Sequence, residues 1–188
     1  VDQLVEAMDG KLSIEDRFLL GQSLEHYRHL VNQVEEITAV IKQYVLERFE
    51  REYSLLIELP GVSAIVACVI LSEIGPNVEA FQSQGNLASW AGVCPGSYES
   101  AGIKKSSHTT QGNKYLKSSL FQAGGTAGRS KDEAFHSLYT RISSRSSKMK
   151  AIIAYAHKMI RIIYKILSAG EHYDTKKALG LRQQARAN

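Results

Sequence analysis

Leu55–Ile74 reads LLIELPGVSAIVACVILSEI and contains two apolar runs separated by Pro60 and Gly61. Apolar residues at helical spacing on both sides predict two helices. Proline followed by glycine breaks a helix and favours a tight turn. Ser63 stands where the second helix should begin, and serine is a favourable N-cap residue. The segment therefore predicts two helices joined by a short turn and favours an all-α fold.

The turn at Gly61 resembles a helix-hairpin-helix motif. In that motif, backbone N–H groups at the start of the second helix bind a DNA phosphate without reading sequence. Gly61 and Ser63 are the candidate DNA-binding residues, and Ser63 stands where the motif usually has a second glycine. Residues 60–99 contain no lysine or arginine, which argues against strong binding. The alternative is a helix corner buried in the core.

The chain before Pro60 contains no proline and carries apolar residues at alternating steps of four and three. This spacing is typical of a coiled coil, whose narrow apolar seam packs on a partner helix. Ser13, followed by Glu15 and Asp16, predicts the start of the helix. We predict that residues 1–54 form a coiled-coil-like arm for a homodimer or a higher oligomer, with a helical hairpin or bundle as the alternative. The seam consists of Leu20, Leu24, Tyr27, Val31, Val34, Thr38, Ile41 and Val45.

The composition is that of a globular protein, with 44% hydrophobic and 22% charged residues in a chain of 188. The net charge of +4 divides unevenly along the chain. Residues 1–59 carry 12 acidic and 6 basic side chains, whereas residues 100–165 carry 13 basic side chains against 2 acidic ones. We expect a polyanion to bind the second half.

Several classes of protein are excluded by the sequence. No apolar run approaches the roughly 20 residues that span a bilayer, so no membrane partner is expected. Cys68 and Cys94 lie in apolar stretches without a histidine at zinc-ligand spacing, and we expect buried thiols in a reducing compartment. The chain starts at Val1 without the features of a signal peptide, which predicts a fragment of a longer cytoplasmic protein.

Further helices are predicted from apolar spacing and capping residues. They are Asn86–Ala91 with Asn86 as its cap and Trp90 in the core, a helix that opens at Lys114 with Asn113 as its cap, Asp132–Ser143, and Ser147–Leu167. Between the first two lies the segment 92–113, GVCPGSYESAGIKKSSHTTQGN, which is rich in glycine, serine and threonine. Long loops inside compact domains are usually functional or disordered. This serine loop, residues 92–113, is therefore the first candidate for a site.

Generic catalytic motifs are absent from the serine loop, which has no Gly-x-Ser-x-Gly elbow, no Walker-type lysine and no paired carboxylates. The string CPGSYESAGIKKSSHTTQGNKYLKSSLFQAG, Cys94–Gly124, nevertheless resembles the C-terminal transposase domain of a large insertion-sequence family. The resemblance extends from about Leu56 to Tyr173 and rests on Pro-x(4)-Ser-x-Gly and Gly-Asn-x-x-Leu-Lys spacings. Members join an N-terminal DEDD nuclease domain, similar to Holliday-junction resolvases, to a helical arm and a serine-bearing domain.

The resemblance implies that the chain is the C-terminal part of a bacterial or archaeal DNA transposase. Residues 1–54 would be the arm, residues 55–173 the transposase domain with the helix-hairpin-helix and the serine loop, and residues 174–188 a basic tail. The nucleophilic serine of the family matches Ser100, whose hydroxyl would attack a phosphodiester and form a phosphoserine intermediate. DNA is the implied partner, and a guide RNA is a candidate because several members are guided by a bridge RNA.

Cations near Ser100 are needed because the transition state gains negative charge on the phosphoryl oxygens. The candidates for phosphate binding are Lys104, Lys105, Lys114 and Lys117, each with a solvated surface lysine as the alternative. His157 matches an Ala-His pair of the family and is a candidate for orienting a phosphate or accepting a proton. A hydrogen-bonded core histidine is the alternative for His157.

No acidic cluster accompanies Ser100 in the sequence, so we predict no metal site in this chain. Mg²⁺ is expected in an N-terminal nuclease domain outside the chain, and the fragment alone is expected not to cleave DNA. A second hypothesis is a non-catalytic helical module for nucleic-acid binding and oligomerisation. A third hypothesis, an acyl hydrolase that uses Ser100 and His157, lacks a nucleophile elbow and a third triad member.

Overall fold

The computed structural model describes residues 10, 12–94, 96, 98–100, 103–106, 109–126 and 130–179, without the side chains of residues 98–100 and 103–106. The helices are α1 (Ile14–Ile57), α2 (Ala64–Ile74), α3 (Gln84–Trp90), α4 (Lys114–Gly125), α5 (Glu133–Arg145), α6 (Lys148–Ala169) and α7 (175–179). Two short strands, β1 (Tyr98–Ser100) and β2 (Ile103–Ser106), form an antiparallel ribbon. The predicted all-α fold is confirmed, with the ribbon as an addition. Most of the predicted basic tail lies outside the described residues.

The chain forms two compact units, Val1–Gln43 and Tyr44–Asn188. In the first unit, α1 starts where the sequence predicts. The backbone N–H of Asp16 donates to Ser13 Oγ at 3.1 Å, and the backbone N–H of Ser13 donates to Asp16 Oδ2 at 3.3 Å. This reciprocal cap satisfies N–H groups that have no partner within the helix.

The apolar seam of the first unit is exposed to solvent. Five of its residues are between 47% and 64% exposed: Leu20, Leu24, Tyr27, Val34 and Ile41. A single helix cannot bury such a seam by itself. The coiled coil therefore stays a prediction, because it requires a second helix to cover the seam.

The second unit has its core around α6. This helix packs on α3, α4 and α5, and α2 packs on α4. The side chains of Tyr155, Met159, Ile160 and Ile163 on α6 are fully buried. Burial of each large apolar side chain stabilises the fold by about 1.5–3 kcal/mol. The unit therefore has a continuous core that fixes the positions of the surrounding turns.

Several local predictions are confirmed and others are wrong. Ser63, Asn113 and Ser147 cap α2, α4 and α6 as predicted. The cap of α3 is Ser83 rather than Asn86, because the backbone N–H of Asn86 already donates to Ser83 Oγ at 3.1 Å. The helix therefore starts earlier than its apolar pattern indicates.

Two predictions about buried side chains are also wrong. Trp90 is 39% exposed rather than in the core, and its ring lies 5.3 Å from that of Phe81. Cys68 is buried as predicted, whereas Cys94 is only half-buried. Within the described part of the chain, no helix has the length and apolarity to cross a membrane.

Candidate functional site

The α1–α2 turn, residues 58–63, packs against the rest of the second unit. Gly61 has a φ of +85°, which favours glycine, and a Cβ there would lie 2.8 Å from the carbonyl oxygen of Ala123 and 3.0 Å from the hydroxyl of Tyr155. The Tyr155 hydroxyl donates a hydrogen bond to the Pro60 carbonyl. Burial raises the pKa of Tyr155, so the hydroxyl keeps the proton that it donates. The turn is therefore fixed by α4 and α6.

Ser63 already has a structural role in this turn. Its Oγ accepts a hydrogen bond from the backbone N–H of Val66 at 3.3 Å and so caps α2. Gly61 and Ser63 are both exposed, so a ligand can approach them from solvent. Phosphate binding by these two residues stays a prediction, and the capping role explains the serine without a ligand.

The base of the serine loop is closed by two glycines. A Cβ on Gly112 would lie 2.3 Å from the backbone nitrogen of Gly92 and 2.5 Å from the carbonyl oxygen of Trp90. Gly92 itself has a φ of +69°. Backbone therefore meets backbone at this point, and no side chain fits between the two ends of the loop.

Backbone hydrogen bonds hold the same two ends together. The N–H of Asn113 donates to the carbonyl of Trp90 at 3.0 Å, and the N–H of Thr110 donates to the carbonyl of Cys94 at 3.3 Å. The side chain of Asn113 donates from Nδ2 to Glu73 of α2, which ties the loop to the core. The serine loop thus has a fixed base, although its composition predicts a loop without regular structure.

The Gly-Asn-x-x-Leu-Lys spacing has a structural explanation at each position. Gly112 permits the close approach, and Asn113 Oδ1 accepts from the N–H of Leu116 at 2.9 Å to cap α4. Leu116 is fully buried. Lys117 Nζ donates to Thr109 Oγ1 at 2.8 Å and to the carbonyl of Thr110 at 3.1 Å. The ammonium group of Lys117 therefore binds the serine loop itself.

Ser100 is the last residue of β1. It pairs with Ile103, and Glu99 pairs with Lys104, whereas Tyr98 pairs with Ser106. The register leaves the backbone of Lys105 without an opposite residue, which is a β-bulge. Bulges increase the local twist of a ribbon and are frequent next to active sites. Ala101 and Gly102 of the predicted Ser-x-Gly spacing lie outside the described residues, as does Pro95.

The predicted cations lie in three different places. Lys104 and Lys105 are in β2, in the same ribbon as Ser100. Lys117 is at the loop base, and Lys114 is exposed at the start of α4, with its Nζ 4.9 Å from the centre of the Tyr115 ring. The backbone therefore brings two of the four candidate lysines together with the candidate nucleophile.

His157 lies on α6 in a pocket of about 250 Å³ between α5 and α6. Burial lowers the pKa of His157, and the positive charge of Arg161 lowers it further, so both favour the neutral ring. Arg141 and Arg161 also line this pocket, and neither was predicted as a site residue. The i,i+4 spacing of His157 and Arg161 was a signal, because such residues share one face of a helix.

Arg161 also acts on the start of the serine loop. Burial raises the pKa of the Cys94 thiol, and the positive charge of nearby Arg161 opposes that shift. The Nε of Arg161 donates to Oε1 of Gln84 in α3 at 3.3 Å. Arg161 therefore connects the pocket to α3, the helix that leads into the serine loop. Among the residues that the structure describes, no group of three or more His, Cys, Asp or Glu side chains could hold a metal ion.

Comparison with known proteins gives a family match. Residues 53–140 match the model of the family described as the transposase IS116/IS110/IS902 family. The match includes the α1–α2 turn, the ribbon and α4, and ends within α5, so Ser100 lies inside it and His157 outside. The predicted resemblance to an insertion-sequence transposase is supported for this part of the chain.

The chain is also similar to proteins of three bacteria. It is 29% identical over 158 residues to the pilin gene-inverting protein of Moraxella lacunata. This alignment covers 81% of the chain and 48% of that protein. It is 28% identical over 156 residues to the "Putative transposase" of Sinorhizobium fredii, and this alignment covers 79% of the chain and 39% of that protein. The pilin gene-inverting protein of Moraxella bovis is 28% identical over 158 residues. The chain spans less than half the length of these relatives.

Proposed function

We propose that the chain is part of a DNA transposase or recombinase and that Ser100 is its nucleophile. One observation carries the proposal: Ser100 is the last residue of strand β1, in a ribbon that belongs to a loop with a fixed base. This ribbon lies inside the region that matches a transposase family. The curated relatives are named for transposition and for gene inversion, and both are rearrangements of DNA. Because the chain spans less than half of those relatives, the complete reaction requires a longer protein.

The backbone of the ribbon suits a nucleophile that must reach a DNA strand. A nucleophile reacts efficiently only when its surroundings hold it in place. The backbone contact between Gly92 and Gly112 provides such a hold at the base. Lys104 and Lys105 belong to the second strand of the ribbon and are the proposed phosphate-binding cations. Their charges would balance the negative charge that develops on the phosphoryl oxygens.

In the proposed reaction, Ser100 Oγ attacks a phosphodiester phosphorus and loses its proton to a general base. The bond between phosphorus and one strand's oxygen breaks, and that oxygen takes up a proton. The phosphoserine ester conserves the energy of the broken bond, so a second strand can displace the serine and be joined. The expected Mg²⁺ would stabilise phosphoryl charge in the N-terminal nuclease domain outside this chain. The described residues do not suit a metal, and we assign no step to it.

In this proposal, the first unit mediates self-association. Its seam is exposed along α1, and a second copy would supply a seam of matching chemistry. DNA is the proposed partner of the second unit, with a guide RNA as an additional one. The exposed Gly61 and Ser63 of the α1–α2 turn are proposed to contact a backbone phosphate of the DNA.

The experiment is a search for a covalent protein–DNA adduct with the full-length protein. Labelled transposon-end DNA is incubated with the protein, and adducts are separated on a denaturing gel. Ser100→Ala should abolish the adduct, because no oxygen remains to form the phosphate ester, while DNA affinity stays within about twofold of wild type. The matched control is Ser106→Ala, which removes a hydroxyl from the other strand of the same ribbon and should leave the adduct intact.

Two results would contradict the proposed nucleophile. One is an adduct that persists in Ser100→Ala. The other is a wild-type protein that binds DNA with a steep salt dependence and forms no adduct under conditions that support recombination. The second result would favour the non-catalytic module for nucleic-acid binding and oligomerisation.

A further inference from the structure

The pocket between α5 and α6 has a lining of two kinds. One part is cationic or polar and comprises Ser137, Arg141, His157, Lys158 and Arg161. The other part is aliphatic and comprises Ala134, Leu138, Ala154 and Ala178. None of the nine lining residues is acidic. Such a lining suits a ligand with an anionic group and an uncharged body.

Two of the cations are held in position by neutral groups. Lys158 Nζ donates to the carbonyl of Ala134 at 2.7 Å and lies 5.0 Å from the centre of the Phe135 ring. Arg161 Nε donates to the side-chain amide of Gln84 at 3.3 Å. A carbonyl and an amide orient a cation without cancelling its charge. These two bonds therefore do not themselves cancel the charge of Lys158 or Arg161.

The size of the pocket limits the ligand. A pocket of about 250 Å³ is smaller than the roughly 300–1,000 Å³ typical of sites for drug-sized molecules. The pocket is therefore too small for more than one nucleotide unit. The phosphate of such a unit would bind the cations, and its planar base would lie on the aliphatic side chains or stack on a guanidinium.

We propose that the α5–α6 pocket binds one unpaired nucleotide of a nucleic-acid strand, with the phosphate on its cationic side chains and the base against its aliphatic side chains. This inference rests on the proposed function, since it takes a nucleic acid as the partner. Arg161 also bonds Gln84 of α3, so the pocket lies beside the helix that leads into the serine loop.

The test is an NMR titration of the 188-residue chain, observed at the ring protons of His157. Three probes are compared: thymidine monophosphate, thymidine and inorganic phosphate. We expect thymidine monophosphate to bind at least about tenfold more tightly than either other probe, because only the nucleotide contacts both the cationic and the aliphatic lining residues. Arg161→Gln should weaken its binding by about tenfold. The matched control, Lys165→Gln, removes an exposed charge from the same helix and should bind like wild type.

Three outcomes would overturn the proposal. Equal affinity for phosphate and the nucleotide would show that the base makes no contact. Equal affinity for thymidine and the nucleotide would show that the cations make none. Equal binding by the Arg161→Gln and Lys165→Gln variants would place the nucleotide elsewhere.

A second variant keeps the test valid if Arg161→Gln unfolds. Ala154→Leu keeps every cation and fills part of the pocket, so it should abolish nucleotide binding in a chain whose thermal unfolding is close to that of wild type. Unchanged binding by this folded variant would also overturn the proposal. Failure of the pocket would leave the Ser100 adduct unaffected, so the two proposals can be separated.

Discussion

The α1–α2 turn and the base of the serine loop both depend on glycine, but their neighbours differ. At Gly61, the closest contacts include the side chains of Thr126 and Tyr155 as well as a carbonyl of α4. At Gly112, the three closest contacts are all backbone atoms, from Gly92 and Trp90. Side chains can rotate away from an added methyl group, whereas two crossing backbones cannot. The comparison predicts that the loop base tolerates less change than the turn does.

The largest expected effect is that of Gly112→Ala. Its methyl group would lie 2.3 Å from a backbone nitrogen, so the two ends of the serine loop must separate. We expect a loss of roughly 3 kcal/mol in the free energy of unfolding, measured by denaturant titration, together with loss of the Ser100 adduct in the full-length protein. Gly85→Ala is the control, since its nearest contact is 3.6 Å away. A Gly112→Ala variant as stable as this control would refute the closed base.

A smaller loss is expected from Gly61→Ala. The substitution combines a φ of +85° with contacts of 2.8–3.0 Å, some of them to side chains that can move. We expect a decrease of about 2 kcal/mol in the free energy of unfolding. Gly125→Ala is the control, because an added Cβ there has open space within a helix. If Gly61→Ala destabilised the chain more than Gly112→Ala, the contrast between the two glycines would be wrong.

Two lysines of α4 allow the loop base to be compared with an open surface. Lys117 binds two oxygens of the serine loop, so Lys117→Gln should lower the free energy of unfolding by about 1–2 kcal/mol. Lys114 is exposed, and Lys114→Gln should leave stability unchanged. Lys114→Gln should instead weaken DNA binding and reduce the salt slope of log K by about one. Equal unfolding midpoints for the two variants would contradict the structural role of Lys117.

The smallest effect concerns the α1–α2 turn, where a cap and a phosphate site make different predictions. Ser63→Ala should cost about 1 kcal/mol of folding free energy, because the N–H of Val66 loses its acceptor. Ser63→Asp keeps an acceptor for the cap and should restore stability. Its negative charge would repel a phosphate, so weaker DNA binding by this stable variant would support the proposed contact. Unchanged DNA binding would leave the serine with its capping role alone.

Caps were predictable from sequence because they depend on residues three positions apart. Ser13, Ser63 and Ser147 each accept from a backbone N–H three residues later. The same rule identifies Ser83, which accepts from the N–H of Asn86. The predicted cap, Asn86, is instead the residue directly before the first apolar residue of the helix. The amphipathic helices and the all-α class follow from equally local patterns.

The arrangement of the candidate site depends on contacts between distant residues. The role of Gly112 becomes visible only when Gly92 lies against it, and no local pattern encodes that contact. The β-ribbon was missed because its strands are only three and four residues long, too short for a reliable period of two. Arg141 joins the pocket through the packing of α5 on α6, which the sequence does not specify.

The exposed seam of α1 affects how rearrangement activity depends on the number of copies of the protein in a cell. Under the proposed self-association, a newly synthesised copy carries an uncovered apolar strip until it meets another copy. The rate of pair formation depends on the square of the copy number. The rate at which single copies are lost to nonspecific association or degradation depends on its first power. A cell that makes little of this protein would therefore retain a smaller fraction of it in assembled form, and rearrangement activity should rise more steeply than expression.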